Sequence, residues 1–398
     1  MSKPISIGLI GIGGYGHQHL STLRTLQGAG ICKLVAVADP FANQHQGDVA
    51  ALKNEGVEIY DEAEKLCARE NIAAVFIATP IFLHASQTLL ALDAGKHVYL
   101  EKPPCATLGE LEQLLNAQMR AQKICAVGFQ MQATPAMGFA KKQISDGAIG
   151  KLKTVHASIR WRRDDAYYER AAWAGKWRLG AQPVFDGPAT NALAHVVHAA
   201  MFLAGAREEA WGKVIRVRGN LKKARAIESY DSSYLEVETE TGVQVRLAFT
   251  HASGEQDAVV LHCAGENGNL SLSWSGEIIH APRIGPLREY SLSCDPHYAA
   301  LFNFFQSLGN KEIEPATTLE NTRPYLQAVN GALQSSGGAA MFDAETIQSI
   351  GEDAERHFSV AGLDEEFVDF GHDGGSTPSL LKPGAWIEVD AIAGNLIV

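Results

Sequence analysis

Residues 5–16, Ile-Ser-Ile-Gly-Leu-Ile-Gly-Ile-Gly-Gly-Tyr-Gly, constrain this chain more than any other stretch. A short apolar strand runs straight into a G-x-G-x-x-G turn formed by Gly11, Ile12, Gly13, Gly14, Tyr15 and Gly16, and an apolar-periodic helix follows over 17–27. Each glycine has a physical reason. Gly11 permits the tight turn, Gly13 lets the backbone approach a pyrophosphate, and Gly16 lets helix and strand pack closely. The helix N-terminus then faces the phosphates. The next apolar run, 33–37, ends in Asp39, about 20 residues beyond the turn, where a carboxylate can accept hydrogen bonds from an adenosine ribose. A lone glycine fingerprint marks many ordinary turns. Strand before, helix after and acid at this distance together point to a dinucleotide. Asp39 would repel a 2′-phosphate, and Pro40 follows it with no Arg or Ser directly behind. NAD is therefore expected, with NADP as the alternative.

At 398 residues the chain is long enough for two domains. A net charge of −11 argues against nucleic-acid binding, which needs a basic face to release counterions. The six cysteines form no C-x-x-C and no metal-ligand spacing, so buried reduced thiols and no metal site are expected. No positively charged, then apolar leader opens the sequence and no apolar run approaches a membrane span, so a cytoplasmic protein is expected, with no nucleic-acid or membrane partner.

Strand patterns at 5–10, 33–38, 57–60, 74–78, 97–100 and 124–128 alternate with helical ones such as 82–94 and 108–121. That alternation predicts parallel βαβ units with right-handed crossovers. After Pro135 the pattern changes. A helix over 136–146 precedes alternating, β-rich runs at 151–161, 213–219, 230–239, 243–251, 257–264 and 268–274, with Glu240-Thr241-Gly242 as a hairpin turn. A mostly antiparallel sheet with one open face is expected. A helix at 187–203 interrupts it, and helices near 296–308 and 318–335 follow. The predicted fold class is α/β. The Gly/Ser/Pro-rich stretch 371–384 and the short apolar run opened by Trp386 mark a tail that packs on the body or on a second subunit.

Strand five ends in Val98-Tyr99-Leu100-Glu101-Lys102-Pro103-Pro104, and strand four in Ala78-Thr79-Pro80 followed by His84. Ligands of open α/β sheets sit beyond the carboxyl ends of strands, so Lys102 belongs near a nicotinamide ring. GLIGIGGYG, AVADP, ATPIFLH and EKP, in this order and spacing, resemble the glucose–fructose oxidoreductase / inositol dehydrogenase / rhizopine-catabolism (Gfo/Idh/MocA) family over about residues 5–335. The resemblance implies a Rossmann domain at 1–128 and a substrate-binding and oligomerisation α/β domain with a large open sheet at 129–340. Residues 341–398 remain an extension without an assigned role. It implies NAD or NADP as cofactor and a dimer or tetramer formed through the open sheet. It also implies a catalytic role for Lys102 and a cis Lys102–Pro103 bond. The cofactor contacts it places are Gly11, Ile12, Gly13, Gly14, Tyr15, Gly16, Asp39, Pro40, Thr79, Pro80, His84, Glu101 and Lys102.

Relatives carry an Asp and, four residues later, a His on a helix preceded by glycines. The matching segment here is Asp186-Gly187-Pro188-Ala189-Thr190-Asn191-Ala192-Leu193-Ala194-His195, which places the family histidine at His195 and an Asn, not an Asp, at 191. On a continuous helix Asn191 and His195 share one face. An amide can orient a hydroxyl or the imidazole, but it cannot take a proton as a carboxylate does. His195 is then the acid/base, with Lys102 as cationic partner; His198 packs or bonds locally. The loop from Trp161 to Arg178 is dense in Trp, Tyr, Arg and Asp, side chains that stack on sugar rings and bind hydroxyls or carboxylates. Tyr167, Tyr168, Trp173 and Arg178 are the expected substrate contacts, with Gln130, Asn191 and His195; the many arginines hint at an anionic or highly hydroxylated ligand.

The expected activity is NAD-dependent oxidation or reduction of a secondary hydroxyl or ketone on a sugar, sugar acid or cyclitol. Two alternatives stay open: a redox-neutral, NAD-dependent glycoside lyase or hydrolase, and a non-catalytic dinucleotide or sugar sensor, with which Asn191 is compatible.

Overall fold

The computed structural model describes residues 3–396 and divides into two compact units. The first comprises residues 1–105, 109–133 and 295–322; the second comprises 106–108, 134–294 and 323–398.

The first unit is built on six parallel strands: β1 (Ile5–Ile10), β2 (Cys32–Ala38), β3 (Glu58–Tyr60), β4 (Ala74–Ile77), β5 (His97–Leu100) and β6 (Cys125–Val127). Their order is β3-β2-β1-β4-β5-β6, the doubly wound arrangement. Helices α1 (Gly16–Gly28), α2 (Gln46–Asn54), α3 (Ala63–Cys67), α4 (Ile81–Asp93) and α5 (Leu108–Ala121) connect them. The strand order reverses beside β1, so the carboxyl ends of β1 and β4 flank the crevice where such sheets take a ligand. Near-continuous apolar runs such as Ala74–Ile77, buried at every position, are what a sheet covered on both faces requires.

The second unit opens with α6 (Pro135–Ser145), β7 (Leu152–Arg160) and α7 (Asp165–Glu169), then a two-residue hairpin, β8 (Arg178–Leu179) and β9 (Gln182–Pro183). It continues through α8 (Ala194–Leu203), β10 (Val214–Lys223), β11 (Ser232–Thr239), β12 (Gln244–Thr250), β13 (Val260–Gly265), β14 (Gly268–Ser273), β15 (Glu277–Pro282) and β16 (Arg288–Ser291). The next helix, α9 (Pro296–Gly309), returns to the first unit, where Leu301, Phe304 and Phe305 join the core of Leu9, Phe76 and Tyr99. The last elements are α10 (Arg323–Ser336), β17 (Ala339–Met341), β18 (Ile347–Ile350), β19 (His357–Val360), α11 (Leu363–Asp373) and β20 (Ile387–Glu388).

The large sheet runs β16-β15-β14-β13-β7-β12-β11-β10-β17, with β20 on the edge of β10. It is mostly antiparallel, as expected; β7–β12 and β10–β17 are its parallel pairs. Strands β15 and β16 lie beyond the expected set. The expected helix over 187–203 is not continuous. Pro188–Ala192 form a wide turn in which Leu193 N–H reaches the carbonyl of Pro188 at 2.7 Å, and Leu193 leaves helical geometry before α8 begins. Asn191 and His195 are therefore not one turn apart on a single helix.

The extension packs on its own unit. Gly219, opposite Leu235 in register, lies under Ala332 of α10; by alternation Tyr234 points to the opposite face. There Tyr234 and Ala248 form one core with Phe342, Val360, Leu363, Phe367, Phe370 and Leu381. Over these strands the face expected to be open to a second copy is filled by the chain itself. Arg246 fastens this cover by donating to the carbonyls of Gly374 and Gly375 and to Thr377. Arg216 and Arg218 both stack on Trp386, 4.6 Å from its ring centroid.

The six cysteines are unbridged and five are buried; burial pushes the thiols of Cys32 and Cys263 up to about 12. Among the described residues no helix is long and apolar enough to cross a membrane.

Candidate functional site

The glycine turn has the backbone its sequence demands. Gly11 sits at φ +87, where a Cβ would stand 2.8 Å from the carbonyl of Ala78, and a Cβ on Gly16 would stand 2.3 Å from the carbonyl of Gly11. Neither position admits a side chain. The space over Gly13 is bounded by the far end of the His45 ring, a movable neighbour that would stand 2.7 Å from a Cβ there. His45 lies against His17, which pairs with Asp48 at 3.1 Å. Asp39 is buried and holds the turn directly: one carboxylate oxygen accepts the N–H of Ile12 at 2.9 Å, the other that of Phe41 at 2.8 Å. Each oxygen retains a lone pair for a further donor, as a ribose diol requires. Pro40 is exposed beside it. The turn and its acid thus fit a dinucleotide.

Beyond β4, Thr79 donates to Gln87 Oε1 at 2.6 Å, and Pro80 caps the start of α4. His84, on α4, is buried with both ring nitrogens 2.7 Å from main-chain carbonyls, those of Pro103 and Thr79. Burial pushes its pKa down, and the two carbonyls oppose that. Its polar atoms tie β4 to the turn after β5, so the ring acts as a brace there. The Lys102–Pro103 bond is cis, in accord with the family resemblance, and Lys102 is half-buried.

Glu101 points inward. Its carboxylate accepts from His19 Nε2 at 2.9 Å and from the N–H of Lys102 at 3.2 Å, and a Cβ on Gly128 would stand 2.8 Å from its Oε1. Burial pushes its pKa up, but the His19 bond and the positive groups around it outweigh that, leaving it below the ordinary value. His297 of α9 packs over His19, ring centroids 4.9 Å apart, and burial pushes its pKa down to about 4. Tyr15 stands edge-on to both rings and accepts from Gln130 Nε2 at 3.0 Å. Sequence reasoning missed His19, which reaches Glu101 from α1, and His297, whose involvement depends on α9 returning from far along the chain.

In the second unit, His195 is half-buried in the first turn of α8, and Asn191 is half-buried in the wide turn before it. Asn191 Nδ2 donates to Asp186 Oδ1 at 2.7 Å. His198 is buried against Trp211, ring centroids 4.6 Å apart, which is a packing role. The loop after β7 turns much of its chemistry inward. Tyr168 lies 3.2 Å from His251 Nδ1, and Arg225 stacks on its ring. Arg163 and Arg170 stack on Tyr167, and Arg170 also on Trp173. Burial pushes the Tyr167 hydroxyl up to about 12. Arg178 donates to the carbonyl of Ala181 within its own hairpin. Of the loop arginines that hinted at an anionic ligand, Arg170 has an internal acid as partner and Arg163 lies over the rings of Trp161 and Tyr167; arginines from outside the loop are paired around it. Arg160 pairs with Asp257, Arg170 with Asp186, and Arg225 and Arg356 with Asp165. Asp186, Arg225 and His251 were not singled out from sequence; only Asp186, at the head of the glycine-preceded segment, carried a signal that could have found it.

The family described as oxidoreductase, NAD-binding Rossmann fold (GFO/IDH/MocA) matches residues 5–129, and its C-terminal domain matches 138–271. The chain is 31% identical over 153 residues to the scyllo-inositol 2-dehydrogenase (NAD(+)) of Bacillus subtilis, covering 38% of this chain and 43% of that protein. It is 31% identical over 137 residues to the levoglucosan dehydrogenase of Pseudarthrobacter phenanthrenivorans, 34% of each. A 2,7-anhydro-N-acetylneuraminate hydratase of Mediterraneibacter gnavus is 27% identical over 156 residues, 39% of this chain and 40% of that one. Each alignment spans less than half of the curated relative. The fold is similar to that of the WlbA dehydrogenase of Bordetella pertussis, solved with NADH and UDP-GlcNAcA. That match has a TM-score of 0.70 at 23% identity and covers 84% of this chain and 97% of that one. A levoglucosan dehydrogenase in complex with NADH gives 0.72 at 18% identity, over 84% and 97%. With its sheet order, its glycine turn and both family domains matched, the chain belongs to the GFO/IDH/MocA family of oxidoreductases.

Proposed function

We propose that the protein is an NAD-dependent dehydrogenase acting on a secondary hydroxyl or ketone of a sugar, sugar acid or cyclitol. The observation that carries this reading is Asp39, buried at the end of β2 and hydrogen-bonded to the turn it would share with a ribose. Its charge disfavours a 2′-phosphate, hence NAD over NADP. The relatives named as inositol and levoglucosan dehydrogenases support the substrate class. When bound, the nicotinamide supplies a carbon that accepts or returns a hydride.

The remaining work falls to this chain's side chains. The turn from Gly11 to Gly16 and Asp39 hold the dinucleotide, with Thr79 and Pro80 at the neighbouring strand end. His84 and Glu101 hold the segment that carries Lys102. Lys102 polarises the reacting oxygen with its ammonium. His195 takes the hydroxyl proton in oxidation and returns it in reduction, as an imidazole nitrogen that both accepts and donates can. Asn191 presents an amide to the same hydroxyl or to the imidazole. Trp173, Tyr167, Tyr168, Arg178 and Gln130 remain the proposed substrate-side contacts. The deciding experiment is purified protein with NAD or NADP against aldoses, inositols, sugar acids and oligosaccharides, read as absorbance of the reduced cofactor. Reduction of NAD with one substrate class supports the reading; none with any class overturns it.

The relative named as a hydratase favours a second reading, redox-neutral chemistry on a glycoside. Product formation from glycosides with no net cofactor reduction would select it.

A further inference from the structure

The resemblance leads one to expect a carboxylate at position 191, and this chain has an amide there. A carboxylate nevertheless lies directly behind that amide. Asp186 is 2% exposed, and its Oδ1 accepts from Asn191 Nδ2 at 2.7 Å. Its Oδ2 accepts the N–H of Gly175 at 2.7 Å and lies 3.6 Å from the guanidinium of Arg170.

The local backbone is built to keep it there. Phe185, immediately before it, holds φ +50, a conformation that a bulky residue adopts only when its surroundings impose it. Those surroundings are visible. The N–H groups of Val184 and Phe185 both donate to the carbonyl of Trp177, and that of Asp186 donates to the carbonyl of Lys176. On the other side, a Cβ on Gly187 would stand 2.3 Å from the Tyr230 ring, and Thr190 Oγ1 bonds Tyr230 at 2.9 Å. The carboxylate is thus aimed from both sides of its own residue.

A carboxylate only accepts, so the amide atom facing Asp186 must be the nitrogen. That settles the orientation of Asn191 by chemistry: its carbonyl oxygen is the end turned the other way. A buried negative charge behind Nδ2 also polarises the amide and makes that oxygen a better acceptor.

We propose that Asp186 is a positioning residue, which fixes Asn191 with its carbonyl oxygen presented and supplies, through the amide, the negative charge that position 191 lacks. The proposal rests on the reading that Asn191 and His195 serve the chemistry. The pair acts as a unit: one charge, divided from the presented oxygen by one amide.

The test is an exchange of the two groups. Asp186→Asn keeps the size and an acceptor for Gly175. It is expected to lower kcat about 10- to 100-fold, the loss of one charge-assisted hydrogen bond, and to leave NAD affinity unchanged. Asn191→Asp alone sets two carboxylates together, so one must hold a proton, and kcat should gain a new ionisation in its pH profile. The double variant Asp186→Asn/Asn191→Asp restores one charge and one amide, and should recover at least about tenfold in kcat over the poorer single variant. Wild-type kcat and pH profile in Asp186→Asn, or no recovery in the double variant, overturns the proposal. A second readout needs no turnover. With selective ¹⁵N-Asn labelling, the Asn191 side-chain amide should be protected from solvent exchange in the parent chain and lose protection in Asp186→Asn. Equal exchange in both overturns the fixed orientation even if the protein proves not to be a dehydrogenase. Protection without turnover overturns only the dehydrogenase reading.

Discussion

Arg356, in the C-terminal extension, donates Nε to the carboxylate of Asp165 at 2.7 Å across 191 positions of sequence. Its carbonyl also accepts the N–H of Asp165 at 2.9 Å, and Asp164 bridges to His357. The loop that follows β7 is therefore held by the extension, and the extension gains a role through it. Asp165 also pairs with Arg225, and both side chains are about nine-tenths buried. Replacing Arg225 by Met leaves Asp165 with a single, half-exposed partner. It should cost about 3–5 kcal/mol, as breaking buried pairs does, and calorimetry should show a lower Tm. Arg356→Ala, whose side chain is 51% exposed, should cost under about 1 kcal/mol in stability. Its effect should appear instead as a raised KM for the substrate of the proposed dehydrogenase.

Asp39 serves both the turn and, in the proposed function, the ribose. Asp39→Ser should weaken NAD about tenfold or more, since both Ile12 and Phe41 lose a charged acceptor. The same change removes the charge that opposes a 2′-phosphate, so the ratio of NADP to NAD affinity should rise. Calorimetric titration with both cofactors checks it; an unchanged ratio would count against Asp39 as the selecting group.

Lys102→Met should separate binding from chemistry. NAD should bind within about threefold of the parent, while kcat falls by about 100-fold or more. Equilibrium titration and steady-state kinetics on one preparation suffice. Retained turnover would remove Lys102 from the mechanism.

His297 gives the first unit a pH dependence. Burial holds its imidazole neutral, with a folded pKa of about 4 against an ordinary 6.5; His19 disfavours the charged form, while Glu101 and Asp295 favour it. Between those values the unfolded chain binds a proton that the folded one does not. Stability is therefore undiminished above pH 6.5 and falls as pH drops towards 4, by up to about 3 kcal/mol. His297→Phe should flatten that acid limb in a Tm-against-pH series, whereas an unchanged limb would assign the loss to other groups. Glu101, with its pKa held down, adds a loss only below the ordinary carboxylate range.

The sequence carried the parts of this molecule that local pattern determines. The strands at 5–10 and 97–100 and helix α5 at 108–121 fall where they were expected, because apolar periodicity and glycine placement are local signals. β16 escaped because it is largely exposed and carries no buried face to set its alternation. The break at Leu193 escaped because nothing in Pro-Ala-Thr-Asn-Ala distinguishes a wide turn from a helix start. Asp186 escaped because its aim depends on Phe185 at positive φ, imposed by Trp177 and Tyr230, which are remote in sequence or in register. The arginines of the 161–178 loop looked like ligand donors because their partners, aromatic rings for Arg163 and Arg170, Asp186 for Arg170 and the Ala181 carbonyl for Arg178, are brought to them only by the folded loop.

The return of α9 to the first unit bears on how the chain is made. Leu301, Phe304 and Phe305 belong to the same core as Leu9 and Phe76, so the nucleotide-binding unit lacks part of its interior until those residues have left the ribosome. From β6 to α9 that is a wait on the order of ten to forty seconds at ordinary elongation rates. The usual vectorial order, first domain finished before the second begins, is closed to this chain. Its nascent form carries an unfilled apolar surface for nearly half of translation, and its yield in the cell should depend on holding chaperones more than that of a protein with the same two units in sequence.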